Sequence, residues 1–170
     1  MLNFLRPRVV PKVLILDVDG VLTDRRFLYG ENGKTYKLFG ADDHDAIRLI
    51  SKYISVIAVT ADKQGFAISK RRISKDFGIV ISIVPSKSRV EWIADRYNPQ
   101  EVIYIGDGFY DSLIFKTVGY GIAPKNALKH TRDAANYVTD AVGGEGAVAE
   151  ACIHILHRFF KKTIEDVHEQ

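Results

Sequence analysis

The chain has 170 residues, 46 % hydrophobic and 26 % charged, the size and makeup of one globular domain spanning 1–170. Its single cysteine, Cys152, excludes an internal disulfide and a cysteine-based zinc site, and no apolar run approaches the ~18 residues of a membrane span. With 24 basic against 21 acidic residues, the net charge of +3 does not mark a nucleic-acid binder, so a cytoplasmic protein without nucleic-acid or membrane partners is expected.

Short β-rich runs alternate with helical patterns, the signature of βαβ units and a parallel sheet. Val13–Leu16 is an apolar run ending in DVDG, as in a strand buried on both faces. Phe27–Tyr29 and Thr35–Phe39 flank Glu31-Asn32-Gly33, and Asn-Gly is a strong hairpin signal. Asp43 to Lys52 reads as a helix with Ala46, Ile47, Leu49 and Ile50 on its apolar stripe. A buried strand at Ser55–Val59 ends at Thr60, a helix from Lys63 to Phe77 stops at Gly78, and Ile79–Val84 is a third strand. Ser88 and Glu91 stand in capping-box spacing for a helix over Arg89–Tyr97. Then follow a strand at Glu101–Ile105, a short helix at Asp111–Lys116, a strand at Tyr120–Ala123, and a helix from Val148 to Phe160 with a fraying polar tail.

The expected fold class is therefore α/β, a doubly wound, Rossmann-like parallel sheet with helices on both faces and a β-hairpin inserted after the first strand. Open parallel sheets bind ligands outside the carboxyl ends of their strands. On that rim the sequence places Asp17 and Asp19 after the first strand, Thr60 after the second, Lys87 after the third, and Gly106-Asp107 after the fourth. Carboxylates this close raise one another's pKa unless a cation neutralises them, and an all-oxygen set suits Mg²⁺. A carboxylate beside such an ion can attack phosphorus, a second acid two positions on can protonate the leaving alkoxide, and a hydroxyl with an ammonium can balance the phosphoryl oxygens. Lys87, just ahead of the helix, is preferred to Arg89 for that last role.

The ordered motifs DVDGVLTD (Asp17 to Asp24), Thr60, Lys87 and GDGFYD (Gly106 to Asp111) resemble those of the haloacid dehalogenase superfamily of phosphatases. The resemblance implies Asp17 as nucleophile and Asp19 as general acid/base. It implies Mg²⁺ held by Asp17, the Asp19 backbone carbonyl and Asp107, with Asp111 in support and Thr60 and Lys87 on the phosphate. Only 35 residues separate Asp24 from Thr60, and 26 separate Thr60 from Lys87, so no cap domain fits. The hairpin FLYGENGKTYKLF, the DDHDAI segment and GGEGAVAE resemble one capless branch, that of the 3-deoxy-D-manno-octulosonate 8-phosphate phosphatases and the nonulosonate (sialic-acid-type) 9-phosphate phosphatases.

That likeness implies a phosphosugar substrate of surface-polysaccharide or sialic-acid synthesis, and a homotetramer built through the hairpin at about 26–39. It also places Asp43, Asp62 and Glu145 on the substrate side. Asp42, Asp62 and Glu145 stand where the octulosonate enzymes carry arginine, and the tail Glu145 is similar to the nonulosonate enzymes. Two other readings compete: a non-catalytic interaction module keeping the fold, and a receiver domain phosphorylated on aspartate. The complete set of motif residues speaks against the first. The order of the motifs speaks against the second, since a receiver's phospho-accepting Asp follows a later strand.

Overall fold

The computed structural model describes residues 9–168. Its frame is a six-stranded, all-parallel sheet made of β1 (Val13–Asp17), β4 (Ser55–Thr60), β5 (Val80–Ile83), β6 (Val102–Ile105), β7 (Tyr120–Ala123) and β8 (Tyr137–Val138). The spatial order is β5-β4-β1-β6-β7-β8, so β1 lies where the winding reverses. Leu14 pairs with Val56 on one side and Ile103 on the other, and Asp17 stands opposite Val59 at the carboxyl end. That reversal leaves a crevice above β1, the standard ligand position in such sheets.

Both faces of the sheet are covered, which explains why β1 is apolar at every position before Asp17. Leu14 and Leu16 point into a core closed by α1 (Asp42–Ile50) and α6 (Ala147–Ile155), where Ile47, Ile50, Ala151 and Ile155 are buried. Ile15 points the other way, into a second core with Ile93 of α3 (Arg89–Ala94) and Ile114 and Phe115 of α4 (Asp111–Phe115). Each such side chain removed from water contributes roughly 1.5–3 kcal/mol. Layers on both faces make the fold doubly wound, and among the described residues the only addition to it is a hairpin, β2 (Leu28–Gly30) with β3 (Gly33–Tyr36). Gly33 sits at φ +105 in its turn, as the Asn-Gly signal requires. No described helix is long and apolar enough to cross a membrane.

Five features depart from the sequence expectation. A helix α5 (Lys129–Ala134) and the sixth strand β8 were not foreseen: α5 is polar on most sides and β8 has two residues, too short for a period. The helix expected over Lys63–Phe77 begins only at Phe66 (α2, Phe66–Lys70, continuing in a wider turn to Asp76), because the Asp62 carboxylate accepts from Gly65 N–H and holds a turn there. The capping box of Ser88 does not form: Ser88 already lies in a helical turn with Ser86, so its hydroxyl cannot reach forward. After α6 the chain winds on to Phe160, turns at Lys161 (φ +56), and closes in a short helix α7 (Ile164–His168) in place of a frayed tail.

Candidate active site

The chain leaves β1 in a tight turn over Val18–Leu22, where Asp19 is extended and Gly20 is left-handed at φ +94. A Cβ on Gly20 would lie 2.1 Å from Asp107 Oδ2, so this glycine is required both by its φ and by close approach. Opposite, Gly143 and Gly144 lie against the same turn, with Gly144 N–H donating to Val21 C=O and Asn126 bridging Gly143 N–H and Gly20 C=O. This turn is therefore pinned from two sides.

Asp17 is buried and accepts from Val18 N–H at 2.8 Å. The Arg89 guanidinium grips it with both arms, Nη1 to Oδ2 at 2.7 Å and Nη2 to Oδ1 at 3.1 Å. Arg89 is itself buried and also meets Tyr104 Oη at 2.6 Å. Tyr104 in turn donates to Asp111 Oδ1 at 3.2 Å, while Asp111 Oδ2 accepts from Gly108 N–H at 2.8 Å. Burial drives the Asp17 carboxyl above its ordinary value, and Arg89 pulls the other way.

Asp19 leaves the same turn toward different partners. Its Oδ1 is 2.6 Å from Lys37 Nζ and its Oδ2 accepts from Thr60 Oγ1 at 3.2 Å. Lys37, just past β3, is wholly buried and also touches Asp62 Oδ2 at 2.8 Å and Ser69 Oγ at 3.0 Å. Lys34 reaches Asp62 Oδ2 at 2.5 Å and lies 3.6 Å from the centre of the Phe27 ring. Burial alone would raise the Asp62 carboxyl, but Lys34 and Lys37 outweigh it and hold Asp62 well below the usual range. The hairpin is thus clamped onto the site by two ammonium groups. The resulting cavity of about 380 Å³ opens above Asp17, Asp19 and Asp107, with Arg25, Phe27 and Lys34 along one wall.

Asp17, Asp107 and Asp111 each offer one carboxylate oxygen within 4.8 Å of the others. Asp107 Oδ2 is buried and makes no hydrogen bond, with Arg25 Nε 3.3 Å away; burial and then the neighbouring Asp17 push this carboxyl up to about 7, against the pull of Arg25. A dry, under-satisfied, all-oxygen set of this kind fits a hard divalent cation. The carboxylate in third place is Asp111, whereas the Asp19 carboxylate points to Lys37 and Thr60.

The structure thus gathers Asp17, Asp19, Thr60, Asp107, Asp111 and Asp62 at one rim. It does not bring Lys87 there. That ammonium is exposed, 5.7 Å from the Tyr110 ring centre, and Arg89, one half-turn further on, takes the place beside Asp17. Asp43 faces away from the cavity and caps α6, Oδ1 accepting from Ala149 N–H at 3.0 Å. Glu145 and Asp42 are exposed and outside the cavity wall. Arg25, Lys34, Lys37 and Tyr104 were not foreseen as site residues. The one signal for the three cations was charge balance, since five clustered carboxylates demand partners that the strand ends alone do not supply.

A family model described as haloacid dehalogenase-like hydrolase matches residues 90–151. Over 150 residues the chain is 31 % identical to the 3-deoxy-D-manno-octulosonate 8-phosphate phosphatase KdsC of Salmonella typhi, covering 85 % of this chain and 79 % of that protein. The chain belongs to the haloacid dehalogenase superfamily. Solved structures of this superfamily superimpose well. A YrbI-family phosphatase of Pseudomonas syringae pv. phaseolica matches with a TM-score of 0.83 at 31 % identity, over 95 % of this chain and 92 % of that one. The octulosonate phosphatase of Moraxella catarrhalis, solved with magnesium, phosphate and the sugar acid, matches with a TM-score of 0.75 at 29 % identity, over 86 % of each chain. This haloacid dehalogenase is accordingly an α/β hydrolase acting on phosphoric monoesters.

Proposed function

We propose that the protein is a Mg²⁺-dependent phosphatase of an eight- or nine-carbon sugar-acid phosphate and works through an aspartyl-phosphate on Asp17. The observation that carries the reading is the separation of two acids on one turn: Asp17 in the fork of Arg89, Asp19 between Lys37 and Thr60. Two carboxylates with different surroundings are suited to two different jobs. Asp17, Asp107 and the Asp19 backbone carbonyl, with Asp111 adjoining, would hold the ion, which supplies charge neutralisation for the phosphoryl group when bound.

Asp17 attacks phosphorus, and its carboxylate oxygen forms the new P–O bond as the bond to the sugar oxygen breaks. Asp19 gives its proton to the departing alkoxide, then takes one from the water that hydrolyses phospho-Asp17. Arg89, beside Asp17, and the Thr60 hydroxyl balance charge on the phosphoryl oxygens. The relatives' substrate supports a sugar acid; the hairpin, with Leu28, Tyr29, Tyr36 and Leu38 exposed, supports a homotetramer in the cytoplasm in which a neighbour covers the open cavity of a capless, single-domain chain.

A phosphatase panel of 3-deoxy-D-manno-octulosonate 8-phosphate, a nonulosonate 9-phosphate and common hexose phosphates, with and without Mg²⁺, tests the substrate. Selective, Mg²⁺-dependent turnover of a sugar-acid phosphate is expected. Equal and feeble rates on every compound would contradict a dedicated role. Gel filtration at several concentrations tests the assembly, which a strict monomer would contradict.

A further inference from the structure

Arg25 follows the catalytic turn and has a backbone that a side chain should avoid. Asp24 Oδ1 accepts from Arg26 N–H at 3.0 Å, and within this turn Arg25 sits at φ +70. In that left-handed region the Cβ crowds the following carbonyl, and glycine is the residue that fits without cost. An arginine held there is maintained against strain, which directs attention to where its side chain goes.

It goes into the cavity above Asp17, Asp19 and Asp107, with Nε 3.3 Å from Asp107 Oδ2 and the side chain 40 % exposed. The other cations of the wall are spoken for. Arg89 is buried, with both arms on Asp17 and a further contact to Tyr104. Lys37 is buried between Asp19 and Asp62, and Lys34 lies on Asp62 and the Phe27 ring. Arg25 alone among the described cations of this wall combines solvent access with a single carboxylate partner, and that partner belongs to the set that fits a divalent cation.

We propose that Arg25 binds the carboxylate of the substrate, exchanging Asp107 for it when the metal takes Asp107. Asp107, once taken by a divalent cation, would no longer need the guanidinium, which like-charge repulsion would then turn outward from the rim. Arg89 already lies on the cavity floor beside Asp17, where phosphate would lie, whereas Arg25 stands at the exposed edge, where a second anionic group of the same molecule would reach. A planar guanidinium matches a carboxylate with two parallel hydrogen bonds, which an ammonium cannot do. Arg25 would thereby set the preference for sugar acids over neutral sugars. The inference rests on the sugar-acid reading given under Proposed function.

The test uses the full chain as wild type, Arg25→Gly and Arg25→Lys. Glycine adopts φ +70 freely, so the variant keeps the turn. At saturating Mg²⁺, kcat/KM is measured on 3-deoxy-D-manno-octulosonate 8-phosphate and on glucose 6-phosphate. Arg25→Gly should lower the acid-to-neutral ratio roughly tenfold or more, the range of a charge-assisted pair, and Arg25→Lys should fall between. Equal losses on both compounds, or an unchanged ratio, would overturn the assignment. Calorimetric titration with Mg²⁺ alone reads the exchange without turnover: Arg25→Gly should bind the ion roughly two- to fivefold more tightly, and unchanged or weaker binding would overturn it. A wild type that shows no preference for the sugar acid would instead refute the substrate class itself, while the Mg²⁺ titration still decides whether Arg25 and the metal share Asp107.

Discussion

Replacing Lys37 with methionine keeps the stem of the side chain and deletes an ammonium that is entirely buried among Asp19, Asp62 and Ser69. Removing one partner of a buried ion pair costs about 3–5 kcal/mol, because the remaining charge stays buried without compensation. Here the lower end applies. Asp62 keeps Lys34 and the Gly65 N–H, and Asp19 keeps Thr60 and 18 % side-chain exposure. A loss of roughly 3 kcal/mol is therefore expected, a large part of the 5–15 kcal/mol typical of whole domains. Urea denaturation at neutral pH measures it, and Lys37→Met combined with Asp62→Asn should lose less than the two single changes summed. The sign with pH follows from Asp62, whose folded carboxyl lies below its ordinary 3.8. Its contribution is complete above that value and disappears as pH falls through the folded one, so the Lys37→Met defect should shrink in acid. A loss below about 1 kcal/mol, the level of a solvated surface pair, would refute the clamp.

Two further perturbations probe the frame around the site. Burial raises the Asp43 carboxyl from 3.8 to about 6, so the folded chain keeps a proton that the unfolded chain releases; stability should fall by roughly 3 kcal/mol as pH rises from about 4 to about 7. Asp43→Asn should flatten that share of the slope, as read by urea unfolding across the range, and an unchanged slope would place the carboxyl in water. Gly20→Ala should lose about 2 kcal/mol or more and nearly all turnover, since its Cβ would meet Asp107 Oδ2 at 2.1 Å and its φ is +94. Near-normal melting and activity would show that the turn tolerates a Cβ.

The sheet was legible because burial on both faces writes its central strands as unbroken apolar runs, as at Val13–Leu16 and Val102–Ile105. Helix α5 and the two-residue β8 escaped because neither carries a period long enough to see. The acids and the hydroxyl of the site were legible because the topology collects strand ends, so Asp17, Asp19, Thr60 and Asp107 needed no contact information. The cations were not. Lys34 and Lys37 sit in a hairpin whose polar residues read as solvent-facing, and only the fold back over β4 buries them. Lys87 and Arg89 are two residues apart at a helix start, and about half a helical turn decides which one faces Asp17; the structure turns Arg89 inward. Asp43 carries no local sign that it would cap a helix more than a hundred residues later in the chain.

The central claim is that Asp17 carries the phosphoryl group during turnover. An acid-quenched single turnover with phosphate-labelled 3-deoxy-D-manno-octulosonate 8-phosphate and Mg²⁺, followed by peptide mapping, tests it directly. The label should be found on the peptide containing Asp17 and be absent from Asp17→Asn. Label on another residue, or sustained turnover by Asp17→Asn, would contradict the account.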